Sequence, residues 1–210
     1  LHSMRQFDDL TYVHSVNVAL IASILGQWLK FSEKDIRILT ISGLLHDIGK
    51  IMIPNEILTK PGKLTVAEYN IMKQHVNFGY EKVKNQNIDI RIKEACLLHH
   101  EKCDGTGYPF GLKSDQIPAV AKIIAIADVY DAMTSARVYR GALCPFEVID
   151  TMYKDAFTKF EPEYILPFLK NVASSYINND VRLSDGRIGK VVLINENALS
   201  LPIVQCEDEF

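Results

Sequence analysis

The chain has 210 residues, 48% hydrophobic and 23% charged, which suits one globular domain with a full core and a small appendage. A formal net charge of -3 argues against non-specific binding to a nucleic-acid polymer. No uninterrupted apolar run reaches bilayer length, no signal peptide is evident, and Cys96, Cys103, Cys144 and Cys206 form no Cys-x-x-Cys pair; this predicts a cytoplasmic protein with ordinary thiols and no membrane contact.

A start at Leu1, without Met, reads as a fragment of a longer protein. Asp8–Lys30 is predicted helical, because Val13, Val16, Leu20, Ile24 and Trp28 recur at intervals of three and four. His14 lies on that helix and would be unremarkable alone. Ser32 is a good N-cap, with Glu33 and Asp35 in the first turn after it. The helix it opens is expected to run to His46-Asp47 and to stop at Gly49. A histidine at a helix C-terminus has a bland explanation in the helix dipole, but an acid beside it does not.

Pro54 and Pro61-Gly62 mark Ile53–Gly62 as a loop with a short helical piece. Thr65 and Glu68 form a capping box for a helix carrying Ile71, Met72 and His75, with Gly79 as its end or a kink. Ile88–His100 is the next helix, placing Ile92, Ala95, Cys96 and His99 on one face. It leads into His99–Pro109, His-His-Glu-Lys-Cys-Asp-Gly-Thr-Gly-Tyr-Pro. Adjacent imidazoles at the end of an apolar run are costly unless something uses their nitrogens, and a metal is the commonest user. The loop glycines and Pro109 fix a backbone path that a ligand can approach.

Ala119–Ser135 is an apolar helix with Asp128 and Asp131 inside it. An acid there is rarely buried without a partner. Ala136–Arg140 carries Arg137 and Arg140. Two more helices are expected, Pro145–Phe157 and Pro162–Ile177, the second kinked or divided at Pro167. Composition changes at Asn178-Asn179, and Val181–Leu183, Ile188–Ile194 and Leu201–Gln205 read as short strands. The predicted division is 1–178, an all-α bundle, and 179–210, a small β extension that looks truncated.

His14, His46, Asp47, His75, His99, His100 and Asp128 come from separate segments and use five of the six histidines. A helical bundle builds metal sites this way, with ligands projecting inward from facing helices. The set exceeds one tetrahedral ion and suits two octahedral ions sharing Asp47. Imidazole with carboxylate favours iron or manganese, with zinc or nickel as alternatives, over calcium or magnesium.

His46-Asp47 resembles the pair that names the HD phosphohydrolase superfamily. The 99–109 stretch and Ile126–Arg140 are similar to its HD-GYP branch, and the resemblance covers Asp8–Ile177. It implies an HD-type helical bundle with a binuclear, sometimes trinuclear, metal centre and phosphodiesterase activity on cyclic di-GMP, a bacterial second messenger. By position, His14, His46, Asp47 and Asp128 would hold one metal, and Asp47, His75, His99 and His100 the second. Lys50, Arg137 and Arg140 fall where the family meets substrate phosphates, and Tyr108 lies in the loop lining the guanine pocket. Members with a third metal carry Glu one turn before the first ligand His. Leu10 stands there, so two metals are expected.

The implied reaction is attack on phosphorus by a metal-bridging hydroxide, with Asp47 as bridge and Lys50 near the leaving oxygen, giving pGpG and, with a second cut, GMP. Alternatives are a non-catalytic sensor or docking module and a phosphodiesterase for another cyclic dinucleotide such as cyclic GMP-AMP. Fusion to sensory or receiver domains is expected in the full-length protein, and dimerisation is left open.

Overall fold

The computed structural model describes residues 9–135 and 143–206, with side chains from Leu10 onward. It is the expected all-α bundle with a small β appendage. Helix α1 (Asp9–Trp28) packs on α2 (Glu33–Leu45) and on α7 (Ala119–Thr134), and α6 (Ile90–Leu98) lies against both α2 and α7. The close approach of α1 and α2 follows from small residues. A Cβ on Gly43 would stand 2.5 Å from the Ala19 Cα. Val18, Ala22, Leu25, Leu39, Ile123, Ile124 and Ile126 fill the space around this contact. Burial of such side chains, at roughly 1.5–3 kcal/mol each, is the main term holding the bundle.

Helix α1 corrects the expectation drawn from uninterrupted apolar runs: Leu10–Trp28 is long and apolar enough to cross a membrane by length and composition. Thr11, His14, Asn17 and Gln27 break the run without lowering its average below that of a spanning segment. In the fold one face of it lies in the core, with Val18, Ala22 and Leu25 at zero exposure, while Leu10, Val13, Leu20 and Ile24 on the other are exposed.

Ser32 caps α2, its Oγ accepting from the Asp35 N–H at 3.2 Å, as its sequence position predicts. The end of α2 differs from expectation. The helix stops at Leu45, and Gly49 lies inside a 3₁₀ turn, Ile48–Met52. A Cβ on Gly49 would stand 1.9 Å from the His75 carbonyl oxygen and 2.4 Å from the Gly79 nitrogen. Gly49 is therefore required by a backbone-to-backbone approach, not by a helix stop. A single turn, α3 (Asn55–Leu58), precedes the capping box of Thr65 and Glu68, which opens α4 (Val66–Met72) as predicted. The predicted helix through His75 is two helices. The chain breaks at Lys73-Gln74, α5 (His75–Val83) starts at the histidine, and Gly79 is neither end nor kink but sits within α5 facing Gly49.

Helices α8 (Pro145–Asp155) and α9 (Pro162–Ser174) close the far side of the core with Val148, Ile149, Met152, Ile165, Phe168 and Leu169. Helix α9 runs on through Pro167 and is not divided there. Strands β1 (Asp180–Arg182), β2 (Ile188–Leu193) and β3 (Ile203–Cys206) form an antiparallel sheet in that order, with Val181 opposite Gly189 and Lys190 opposite Gln205. Val191, Ile194 and Leu199 join the same core as the helices.

Candidate metal centre

The chain brings its histidines together by using helix ends. His46 is the C-cap of α2, His99 the C-cap of α6, and His75 the first residue of α5, while His14 and Asp128 project from within α1 and α7. The C-terminal ends of α2 and α6 both meet the cluster, and their exposed carbonyl dipoles favour positive charge there.

Three of the buried imidazoles are oriented by backbone carbonyls three or four residues earlier. Nδ1 of His46 lies 2.7 Å from the Gly43 carbonyl, that of His75 2.8 Å from Met72, and that of His99 3.0 Å from Ala95. A carbonyl oxygen only accepts, so each Nδ1 carries the proton and donates it. Each Nε2 is then a bare lone pair aimed inward. His75 and His99 point theirs at one another across 3.4 Å. Asp47, 1% exposed, stands between the groups. Its Oδ1 lies 3.3 Å from His75 Nε2 and 3.9 Å from His99 Nε2, while Oδ2 faces His46 at 3.2 Å and His14 at 3.7 Å. His46 Nε2 and Asp47 Oδ1 are buried without a hydrogen-bond partner. Lone pairs facing lone pairs and a carboxylate, out of water, are unfavourable unless a cation lies among them. The donor set therefore fits divalent metal. Asp47, His75, His99 and His100 can offer atoms within 4.8 Å of one another, as can His14, His46 and Asp47.

The His14 side is arranged differently. His14 Nδ1 meets Asp131 Oδ2 at 2.6 Å and its Nε2 meets Asp128 Oδ1 at 3.0 Å. Burial disfavours the His14 charge, but these two carboxylates outweigh it and raise its pKa to about 9. His75, His99 and His100 go the opposite way. Burial lowers His75, drives His99 well down, and brings half-buried His100 to about 3 despite Asp128 nearby. Asp47 stays well below the usual carboxylate range although burial opposes it, because Lys50 and His46 are close. Lys50 Nζ sits 2.5 Å from Asp47 Oδ2.

The structure thus gathers His14, His46, Asp47, His75, His99, His100, Asp128 and Lys50. Four of the eight, His14, Lys50, His75 and His100, line a cleft of about 610 Å³ together with Tyr69 and Tyr108. The Tyr108 ring stacks on His100, centroids 4.7 Å apart. Arg137 and Arg140 lie outside the described residues. Two residues were given no role from sequence. Asp131, 4% exposed, holds His14 and accepts from Asn17 Nδ2 at 2.9 Å; its signal was a second acid one turn after Asp128 in an apolar helix. Glu101, 4% exposed, accepts backbone N–H groups from the loop beyond Tyr108; it lies within the 99–109 stretch, where its position beside the two histidines was its signal.

Comparison with known proteins gives the family. The HD domain family model matches residues 6–164. A cyclic di-GMP phosphodiesterase of Pseudomonas aeruginosa is 37% identical over 203 residues, 96% of this chain and 49% of that protein. The 3'3'-cGAMP-specific phosphodiesterase 2 of Vibrio cholerae is 36% identical over 158 residues, 74% of this chain and 30% of that protein. The chain thus spans half or less of the length of these relatives. Among solved structures, an HDG"Y"P protein from Bdellovibrio bacteriovorus superposes with a TM-score of 0.63 at 23% identity, covering 75% of this chain and 50% of that one. The bundle, the paired His46-Asp47 and the loop 99–109 place this chain in the HD domain family, in its HD-GYP branch.

Proposed function

We propose that this domain is a metal-dependent phosphodiesterase that hydrolyses cyclic di-GMP to linear pGpG, as part of a longer cytoplasmic signalling protein. The observation that carries the reading is the division of the Asp47 carboxylate, one oxygen toward His75 and His99, the other toward His14 and His46. His14, His46, Asp47 and Asp128 would hold one divalent ion, iron or manganese by donor chemistry, and Asp47, His75, His99 and His100 the other. When bound, the pair would supply Lewis acidity for a phosphate and lower the pKa of a water from about 15.7 towards ~7.

The chain's own groups do the rest. The backbone carbonyls of Gly43, Met72 and Ala95 hold three imidazoles in the tautomer that leaves Nε2 free. Lys50 brings an ammonium to the cleft floor, where it can meet a phosphate oxygen or pass a proton to the departing 3′ oxygen. Tyr108, backed by His100, offers a flat face to a purine. Arg137 and Arg140 follow α7 in sequence and suit a bidentate grip on phosphate. The cleft volume is in the range of sites for ligands of drug size and above.

The test is cyclic di-GMP turnover by the purified chain reconstituted with Mn²⁺ or Fe²⁺, with products separated by chromatography. Appearance of pGpG is expected. Tight binding without any cleavage would favour a sensor instead. The Vibrio cholerae relative named for 3'3'-cGAMP supports a second reading, the hybrid dinucleotide as substrate. Competition between the two dinucleotides decides between them.

A further inference from the structure

We propose that Glu101 is a positioning residue for substrate, holding the tip of the 103–114 loop so that Tyr108 presents its ring to a purine base. The inference rests on reading the cleft as a cyclic-dinucleotide site. Glu101 follows His99 and His100, yet its carboxylate bonds to the loop beyond them. Its Oε1 accepts the N–H of Phe110 at 2.7 Å and of Gly111 at 3.2 Å, and its Oε2 accepts that of Leu112 at 2.9 Å. Three consecutive backbone donors on the returning leg of the loop converge on one buried carboxylate, which ties that leg to the residue that follows His100. At Gly107 the outgoing leg lies directly on the Glu101 backbone. A Cβ there would stand 2.5 Å from Glu101 Cα, His100 O and Lys102 N. Tyr108 sits between these two fixed points, its N–H donating to the His100 carbonyl at 3.2 Å and its ring stacked on the His100 imidazole.

The base of the loop is secured without Glu101. Ser114 N–H donates to the Cys103 carbonyl at 3.2 Å, Asp104 pairs with Lys113, and Cys103 N–H is held by the Lys159 carbonyl at 3.0 Å. His100 is placed by the end of α6 and faces Asp128. Removing the Glu101 carboxylate should therefore release the tip, with Tyr108 in it, while leaving the loop ends and the metal ligands where they are. A change of that kind acts on binding of the base and spares the reacting phosphate.

The experiment compares Glu101→Ala and Glu101→Gln with the parent chain, loaded with Mn²⁺, in three measurements. Hydrogen exchange of the metal-loaded proteins reads the loop, metal content reads the ligands, and steady-state kinetics use cyclic di-GMP and, as a diester without a purine, bis(p-nitrophenyl) phosphate. For Glu101→Ala, exchange within 105–112 should quicken, metal content should hold, and KM for cyclic di-GMP should rise about tenfold or more, since three hydrogen bonds to a charged group are lost. Its kcat should stay within about threefold and the purine-free diester should be cleaved as by the parent. Glu101→Gln keeps one carbonyl oxygen for Phe110 and Gly111 but turns an amide toward Leu112, so its KM should fall between the two.

Unchanged exchange in the loop, loss of metal, or an equal fall on both diesters would overturn the proposal and make Glu101 a support of the centre itself. A parent chain that cleaves the simple diester but neither binds nor cleaves cyclic dinucleotides would overturn the functional reading above, and with it the substrate part of this one. The exchange data would then judge the loop claim alone.

Discussion

The two halves of the histidine cluster are built from the same side chains and prepared in opposite ways. Around Asp47 Oδ1, His75 and His99 are neutral, locked by backbone carbonyls, and aim bare nitrogens at each other. Around His14 the vacancy for charge is filled from within, because Asp128 and Asp131 form ion pairs with a protonated imidazole. The first half presents bare donor atoms that a cation can take directly. The second must give up a proton and an internal salt bridge to accept one. A dinuclear centre made of these halves should load unequally, the His75–His99–His100 side first.

Asp47 belongs to both halves, so its removal has the largest expected effect. Asp47→Ala should lose both ions and turnover together, with metal content below detection and no cyclic di-GMP cleavage. Retention of one ion by that variant would break the sharing of Asp47. Next comes His99→Ala, which should empty the carbonyl-locked half and leave the His14 half at its already weaker affinity, seen as one residual, loosely held ion by calorimetry.

A pH series separates the halves without mutation. Below about 9 the metal-free His14 is protonated, so a metal on that side displaces a proton, and its apparent affinity should fall about tenfold per pH unit as pH drops from 9 to 6. His75, His99 and His100 have depressed pKa values and hold no such proton at neutral pH, so affinity on their side should stay nearly flat over the same range. Parallel slopes for the two ions would contradict the comparison. Asp131→Asn should weaken the His14 side by about 10–100-fold and leave the other unchanged, because it removes the carboxylate that fixes the His14 tautomer.

The smallest effect lies farthest away. Ile149→Val on α8, in the apolar core, should cost about 1 kcal/mol and lower Tm by roughly 2–4 °C. Metal content should not change.

Much of this was readable before the fold. The histidines and acids of the cluster are noticeable in the sequence because most of them end or interrupt an apolar helix, and that conflict shows in one dimension. The helix starts at Ser32 and Thr65 were legible for a similar reason, since a cap bonds within its own first turn. What was misread depends on contacts distant in sequence. Gly49 passes for a helix stop until the His75 carbonyl lies against it. The break before His75 has no proline or glycine to announce it; the two helices separate so that His75 can start a new axis beside the turn that carries Asp47. Asp131 and Asp128 look alike one turn apart, and only the placement of His14 between them shows that both hold one imidazole. Glu101 finds its three donors only after the loop has folded back on it.

The central claim is that distant helices converge on one centre shared through Asp47. Titrating the metal-free chain with Mn²⁺ under anaerobic conditions, and following it by electron paramagnetic resonance, tests this most directly. The account predicts two ions per chain and, at saturation, the spectrum of a spin-coupled pair. Saturation with only the signal of isolated ions, or no binding at all, would contradict it.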